Sequence, residues 1–306
     1  MSVSIWHLIA MGFGTGYVMA LVGQASGLFS LAYSMSILNF NSIAVSPTSL
    51  VTTFINPFGA LLGFWRSHQW NLDLALWLCV GAVLGSSLGP FLRVYVFYDP
   101  IPFKALVGIV MFVMSIDLWL EISPWYRRRV ARRIANENTR NSTKHLAAHA
   151  PEGYQIITVE RSFRKVVIAY KNRVTTLGVP AMVLIGSLVG IVGATLGIGG
   201  GFLLVPILVV VYRLPMYVVV AASIPYVIVL SLTGLLAYLV TLPTITGITT
   251  PIDWAFGLFV ASGAIVGAWL ASKTQRYIPD IVLKPMLGAI TGIVGLLYIL
   301  NYYNTL

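Results

Sequence analysis

The sequence predicts an all-α, polytopic membrane protein made of two inverted repeats of about four apolar segments each, with helices broken or re-entrant at glycine-rich turns. Three observations carry this. Of the 306 residues, 58% are hydrophobic and only 9% are charged, which leaves a soluble domain too little polar surface. Apolar runs recur along most of the chain, and about 20 such residues cross roughly 30 Å of hydrocarbon. Finally, an ordered series of glycine and polar landmarks in the first half returns in the second.

The runs fall at 4–22, 43–64, 72–97, 103–121, 177–197, 217–242, 252–272 and 281–300, with shorter apolar arms at 24–38 and 201–212. No Lys or Arg precedes the first run, so it reads as a retained membrane segment rather than a cleaved signal. Cys79 is the only cysteine and lies within an apolar run. That excludes an intrachain disulfide and any cysteine-based zinc or iron–sulfur site. His7, His68, His145 and His149 are scattered, without ligand spacing inside the membrane. No metal, cofactor or catalytic constellation is therefore expected, and a membrane enzyme is disfavoured.

One segment departs from the apolar pattern. Residues 122–175 hold 12 of the 19 Lys and Arg residues, including Arg127, Arg128, Arg129, Arg132, Arg133, Arg164 and Lys165. The chain thus divides into a first membrane repeat (1–121), a basic linker (122–175) and a second membrane repeat (176–306). A net charge of +10 would suggest nucleic acid in a soluble protein, but the positive-inside rule gives a cytoplasmic loop the same signature. Nucleic acid is not an expected partner. Anionic lipid headgroups are, through the Arg127–Arg133 cluster. Tyr154–Glu160 and Val166–Lys171 are β-prone and separated by a short polar stretch, which predicts a small hairpin.

The repeat rests on specific pairs. Gly23–Gly27 matches Gly197–Gly201 at an offset of 174, and Ser49 matches Ser223 at the same offset. Asp73 matches Asp253, Lys104 matches Lys284 and Gly108 matches Gly288 at an offset of 180, while Gly81–Gly85 pairs with Gly263–Gly267 across a two-residue gap. If each cluster were a mere kink, the repeats would be parallel and the basic residues would divide 13 inside and 6 outside. If the chain turns back at each cluster, the repeats are inverted and the division is 17 to 2, with only Arg93 and Lys104 outside. The second arrangement is the better fit to the positive-inside rule, and it places both termini outside.

Inverted repeats with discontinuous helices frame alternating access in secondary transporters. A helix starting at Gly27 or Gly201 would aim free N–H groups and the positive end of its dipole at the mid-membrane region, where an oxyanion could bind. Gly199, Gly200 and Gly201 in succession are poor helix formers and mark a break. The pairs Gly81/Gly85 and Gly263/Gly267 have two readings, as parts of this machinery or as close-packing contacts between helices.

At this point the sequence resembles a known family. The run Gly193-Ala-Thr-Leu-Gly197-Ile-Gly-Gly-Gly201-Phe-Leu-Leu-Val-Pro206, followed by Ala221-Ala-Ser223 and Thr233-Gly234-Leu-Leu-Ala-Tyr238, is similar to the signature of the TauE/SafE family. The likeness spans roughly 5–121 and 177–300. It implies transport of sulfite, sulfonates, sulfoacetate or related sulfur-containing anions across the bacterial inner membrane. Two departures stand out: the first cluster reads Gln24-Ala25-Ser26 where the family is often glycine-rich, and the linker is longer than usual.

Polar residues in apolar surroundings complete the candidate site, because each is costly in lipid and turns inward. The substrate-binding candidates are Gln24, Ser26, Gly27, Ser49, Thr52, Thr53, Asn56, Gly199, Gly200, Gly201, Ser223 and Tyr226. Ser49, Thr52, Thr53 and Asn56 follow i, i+3, i+4 and i+7, the spacing of one helical face. Pro57 and Pro225 predict kinks at similar depths in the two halves. Asp117 is the candidate for proton coupling, whereas Asp73 and Asp253 read as helix N-terminal partners. An anion channel and a transporter-like sensor or scaffold are the alternative functions, and a homodimer is compatible with the reading.

Overall fold

The structure, a computed structural model, describes residues 4–21, 26–64, 72–123, 156–170, 173–212, 214, 216–274 and 280–303. The first half supplies α1 (Ile5–Leu21), α2 (Gly27–Ser36), α3 (Val45–Phe64), α4 (Leu72–Tyr95) and α5 (Pro100–Ile122). The second supplies α6 (Val179–Leu196), α7 (Gly201–Tyr212), α8 (Met216–Leu236), α9 (Trp254–Thr274) and α10 (Asp280–Tyr303). Each predicted run and both short arms are helices, and α2 and α7 begin at the expected glycines. Five of the helical spans in the described residues are long and apolar enough to cross a membrane.

Side chains are sorted for lipid rather than for water. Ser26, Ser30, Ser34, Ser46, Thr48, Thr53 and Asn56 are buried, while Leu84, Leu88, Val113, Leu184, Leu188 and Leu297 face outward. Several hydroxyls in the helices are satisfied by the preceding turn, as when Thr195 Oγ1 donates to the Ile191 carbonyl at 2.7 Å and Thr233 Oγ1 to the Val229 carbonyl at 2.7 Å. Asp253 begins α9 as foreseen, its Oδ1 accepting the Phe256 N–H at 2.9 Å.

The halves are interlocked. α1 packs along α9, and α6 packs along α4, so that each half's first helix lies on the long fourth helix of the other. Small residues permit the approach: a Cβ on Gly12 would strike the Val260 carbonyl, and one on Gly85 the Ser187 carbonyl. Gly81 and Gly85, like Gly263 and Gly267, lie inside unbroken helices with neighbouring backbone against them. Close packing is thus the role the structure gives these four, and the first reading is withdrawn. Gly12/Gly16 and Gly186/Gly190 are a further matched pair at the offset of 174, which strengthens the repeat.

Contacts also fix which helix ends lie together. α1 and α9 run in the same direction, Gly12 meeting Val260 and Gly16 meeting Ala264, and α4 and α6 do likewise. The start of α9 lies beside the start of α3, where the Asp253 N–H donates to Thr48 Oγ1 at 3.1 Å. The start of α3 in turn holds the end of α4, through Arg93 and Ser46. α5 and α10 run oppositely, with Gly108 against Gly295 and Ser115 Oγ donating to the Gly288 carbonyl at 2.6 Å.

The end of the linker is a three-stranded antiparallel sheet, β1 (Ile156–Arg161), β2 (Lys165–Tyr170) and β3 (Arg173–Gly178). The predicted hairpin is β1–β2. The third strand has no comparable apolar run, being held by pairing with β2 from Lys165–Gly178 to Tyr170–Arg173. Val166, Ile168 and Leu177 join the core that contains Leu74, Leu208 and Leu214, while Arg161 pairs with Asp73 at 3.1 Å and the Phe163 ring meets Trp77. The sheet therefore caps the starting end of α4 and leads directly into α6.

Candidate functional site

Two helices begin in the middle of the fold rather than at its surface. α6 stops at Gly197, whose φ of 79° is left-handed, and Gly199 and Gly200 follow at 73° and 68° before α7 starts at Gly201. Only glycine adopts such a succession without strain. The start of α2 lies against this turn: a Cβ on Gly27 would come within 2.8 Å of the Ile198 backbone and 2.5 Å of Thr53 Cγ2. The two glycine breaks thus meet, with α3 alongside. Residues Ser26, Gly27, Gly199, Gly200 and Gly201 are all buried.

Thr53 is the centre of the cluster. Its Oγ1 donates to the Ser49 and Leu50 carbonyls at 3.1 and 3.2 Å and accepts from Ser231 Oγ at 3.3 Å. A Cβ on Gly199 would lie 3.3 Å from both Thr53 Cβ and Ser231 Oγ. One turn on, Asn56 Nδ2 donates to Ser26 Oγ at 2.6 Å. Ser26 precedes α2 without capping it, because its side chain is turned to Asn56.

Unpartnered polar atoms occur at the same place. Ser49 Oγ and Asn56 Oδ1 are buried without a hydrogen-bond partner among the described residues. A buried unpaired polar group costs about 1–3 kcal/mol, so the two on this helix face are open to a further partner. The Ser26–Asn56 pair keeps unused donors whichever way the amide is set. If Nδ2 donates to Ser26, the serine hydroxyl proton and the second amide proton remain. If the amide is reversed, both amide protons remain. The first N–H groups of α2 and α7 add donors beside this pair, apart from that of Leu203, which donates to the Gly200 carbonyl at 3.1 Å.

Of the residues singled out from the sequence, the structure gathers Ser26, Gly27, Ser49, Thr53, Asn56, Gly199, Gly200 and Gly201. Thr52 is buried but turned to α9, its Oγ1 donating to the Gly257 carbonyl at 3.2 Å, so the four-residue stripe on α3 divides among its neighbours. Tyr226 donates to the Gly186 carbonyl at 2.8 Å and faces α6. Ser223 is buried on α8 two turns before Ser231. Gln24 lies outside the described residues, as does the side chain of Asp117 on α5. Ser231 was missed, although it follows Ser223 by eight residues and therefore shares its face of α8. Arg93, at the end of the run 72–97, was counted only as a basic residue on the outer side, yet it is fully buried beside Ser46.

The repeat is not chemically even at its centre. At the offset of 174, Ser26 corresponds to Gly200 and Asn56 to Leu230. A Cβ on Gly200 would lie 2.9 Å from Leu230 Cδ1, so the same juxtaposition is polar in one half and apolar in the other.

A helical, lipid-sorted bundle that encloses a polar cluster between two helix breaks belongs to the class of multi-pass membrane transporters. The chain is a member of the sulfite exporter TauE/SafE family, whose model matches residues 8–298. It is also similar to the probable membrane transporter protein YunE of Bacillus subtilis (strain 168), with 22% identity over 276 residues that cover 88% of each chain. No solved structure matches it.

Proposed function

We propose that the protein is a secondary transporter that carries a small sulfur-containing anion, such as sulfite, a sulfonate or sulfoacetate, across the bacterial inner membrane by alternating access. The observation that carries this reading is the buried polar set Ser26, Ser49 and Asn56 where the two glycine breaks meet, in which Ser49 Oγ has no partner among the described residues and the Asn56 amide has a second proton beyond its bond to Ser26. An oxyanion leaving water loses strong hydrogen bonds, and aligned N–H and O–H groups at helix N-termini can replace them. Family membership supports the sulfur-anion class. The enclosure of the cluster favours a carrier over an open channel, because a carrier passes through a state closed to both sides.

In this reading the repeats are inverted. Support comes from the helix ends: the start of α9 lies at the end of α4 rather than at its start, although Asp73 and Asp253 are repeat equivalents. The sheet end of the bundle is cytoplasmic, in line with the 12 basic residues of 122–175, and both termini are outside. Flux of radiolabelled sulfite into proteoliposomes, with thiosulfate, taurine, isethionate and sulfoacetate as competitors, tests the substrate class. Absence of both flux and ligand-induced thermal stabilisation across that series would overturn it.

A further inference from the structure

Arg93 lies in the last turn of α4 and is wholly buried. Among the described residues its hydrogen-bond partners are all oxygens. Nε donates to Ser46 Oγ at 3.2 Å, Nη2 to the Ser42 carbonyl at 3.3 Å, and Nη1 to the Tyr98 carbonyl at 3.5 Å and to that of Phe97. The Phe103 ring lies 3.9 Å from the guanidinium carbon. Ion pairs among the described residues are Arg161–Asp73 and Lys165–Glu160, at the sheet. No carboxylate in the described residues pairs with Arg93.

A charge withdrawn from water is ordinarily retained only with a counter-charge. Carbonyls at the end of α4 supply about half of one through the helix dipole, so positive potential remains. Its position decides what that potential can do. The Ser46 backbone lies directly against Gly197, where an added Cβ would strike the Ser46 carbonyl. One turn further along α3 is Ser49, whose buried hydroxyl has no partner among the described residues. Guanidinium, glycine turn and unused hydroxyl are therefore contiguous.

We propose that Arg93 is the charge-selecting residue of this site: its unneutralised guanidinium, held behind Ser46, draws a dehydrated anion to Ser49 and the Gly197–Gly200 turn. It acts through Ser46 as a positioning residue. The proposal rests on the oxyanion reading above and deepens it, since it adds that a dianion gains more from the site than a monoanion does.

The test uses the full-length protein in proteoliposomes, with sulfite as substrate and thiosulfate (a dianion) and methanesulfonate (a monoanion) as competitors. Arg93→Gln removes the charge. Ser46→Asp neutralises it in place, which keeps the fork that caps α4, and Arg93→Lys retains the charge. One unit charge about 10 Å away at an effective dielectric near 20 changes anion affinity about tenfold. Arg93→Gln and Ser46→Asp should therefore raise the sulfite half-saturation about tenfold and weaken thiosulfate inhibition more than methanesulfonate inhibition, with Arg93→Lys close to the parent. A role limited to capping α4 would not move the dianion-to-monoanion ratio. If that ratio and the half-saturation are parental in Ser46→Asp, the proposal is overturned, whether or not Arg93→Gln inserts. If the parent neither moves nor binds any of the three ions, the oxyanion reading itself fails and this proposal falls with it.

Discussion

Asn56→Leu copies into the first half the residue that occupies the equivalent place in the second, Leu230. The change is close to isosteric and strains no backbone. Two large terms oppose each other in its effect on stability. Removing Asn56 Oδ1 relieves an unpaired buried acceptor, while Ser26 Oγ loses its 2.6 Å partner, and each such term is about 1–3 kcal/mol. What remains is the net value of one hydrogen bond, about 1 kcal/mol. The folded protein should accordingly melt within a few degrees of the parent. Transport should respond far more, because a donor to a charged ligand contributes about 1.5–3 kcal/mol, equivalent to about a tenfold to hundredfold rise in half-saturation concentration. The double variant Ser26→Gly/Asn56→Leu reproduces the Gly200–Leu230 pair in full. It should be at least as stable as the parent and transport no better than the single variant. Detergent thermostability by size-exclusion chromatography and sulfite flux in proteoliposomes read the two quantities separately. A folded Asn56→Leu protein with parental half-saturation would refute the assignment of the Ser26–Asn56 pair to the substrate.

The remaining predictions concern the turn, the topology and the sheet. Gly197→Ala places a methyl on the Ser46 backbone carbonyl at φ 79°, and because backbone cannot rotate aside, the yield of folded protein should collapse. Gly199→Ala meets only side chains, at 3.0–3.3 Å. It should lower stability by about 1–2 kcal/mol and reduce flux, since its methyl lies between Thr53 and Ser231. Single cysteines at Tyr98 and Phe163, exposed by 60% and 85%, in a background lacking Cys79, should respectively be labelled and shielded from an impermeant thiol reagent in intact cells; the reverse pattern would invert the proposed topology. Arg161→Ala breaks a partly solvent-exposed ion pair with Asp73 and should lower stability by less than about 1 kcal/mol, as read by the same thermostability assay, because the sheet is held chiefly by Val166, Ile168 and Leu177 in the core.

The sequence by itself determined the solvent and the helices. Hydrocarbon admits helices whose backbone groups are satisfied within the segment, so run length and composition were enough to set α1–α10 to within a few residues. Glycines marked where α2 and α7 begin, Gly27 in the first half and the run Gly199–Gly201 in the second, since that property belongs to the local backbone. Tertiary structure decided which polar groups serve the site and which serve packing. Ser49 and Tyr226 look alike as buried hydroxyls in apolar runs, but only the meeting of helices shows that Tyr226 donates to Gly186 while Ser49 has no partner among the described residues. Gly85 and Gly199 likewise differ in what stands opposite them, a neighbouring helix backbone in one case and Thr53, Val227 and Ser231 in the other, and Gly199 alone has a positive φ. Arg93 was legible as a charge but not as a buried one, because its enclosure depends on Ser42, Ser46 and Phe103, which lie on two other segments of the chain. Hydrogen-bond satisfaction and burial are properties of pairs brought together by the fold, and spacing along one chain cannot state them.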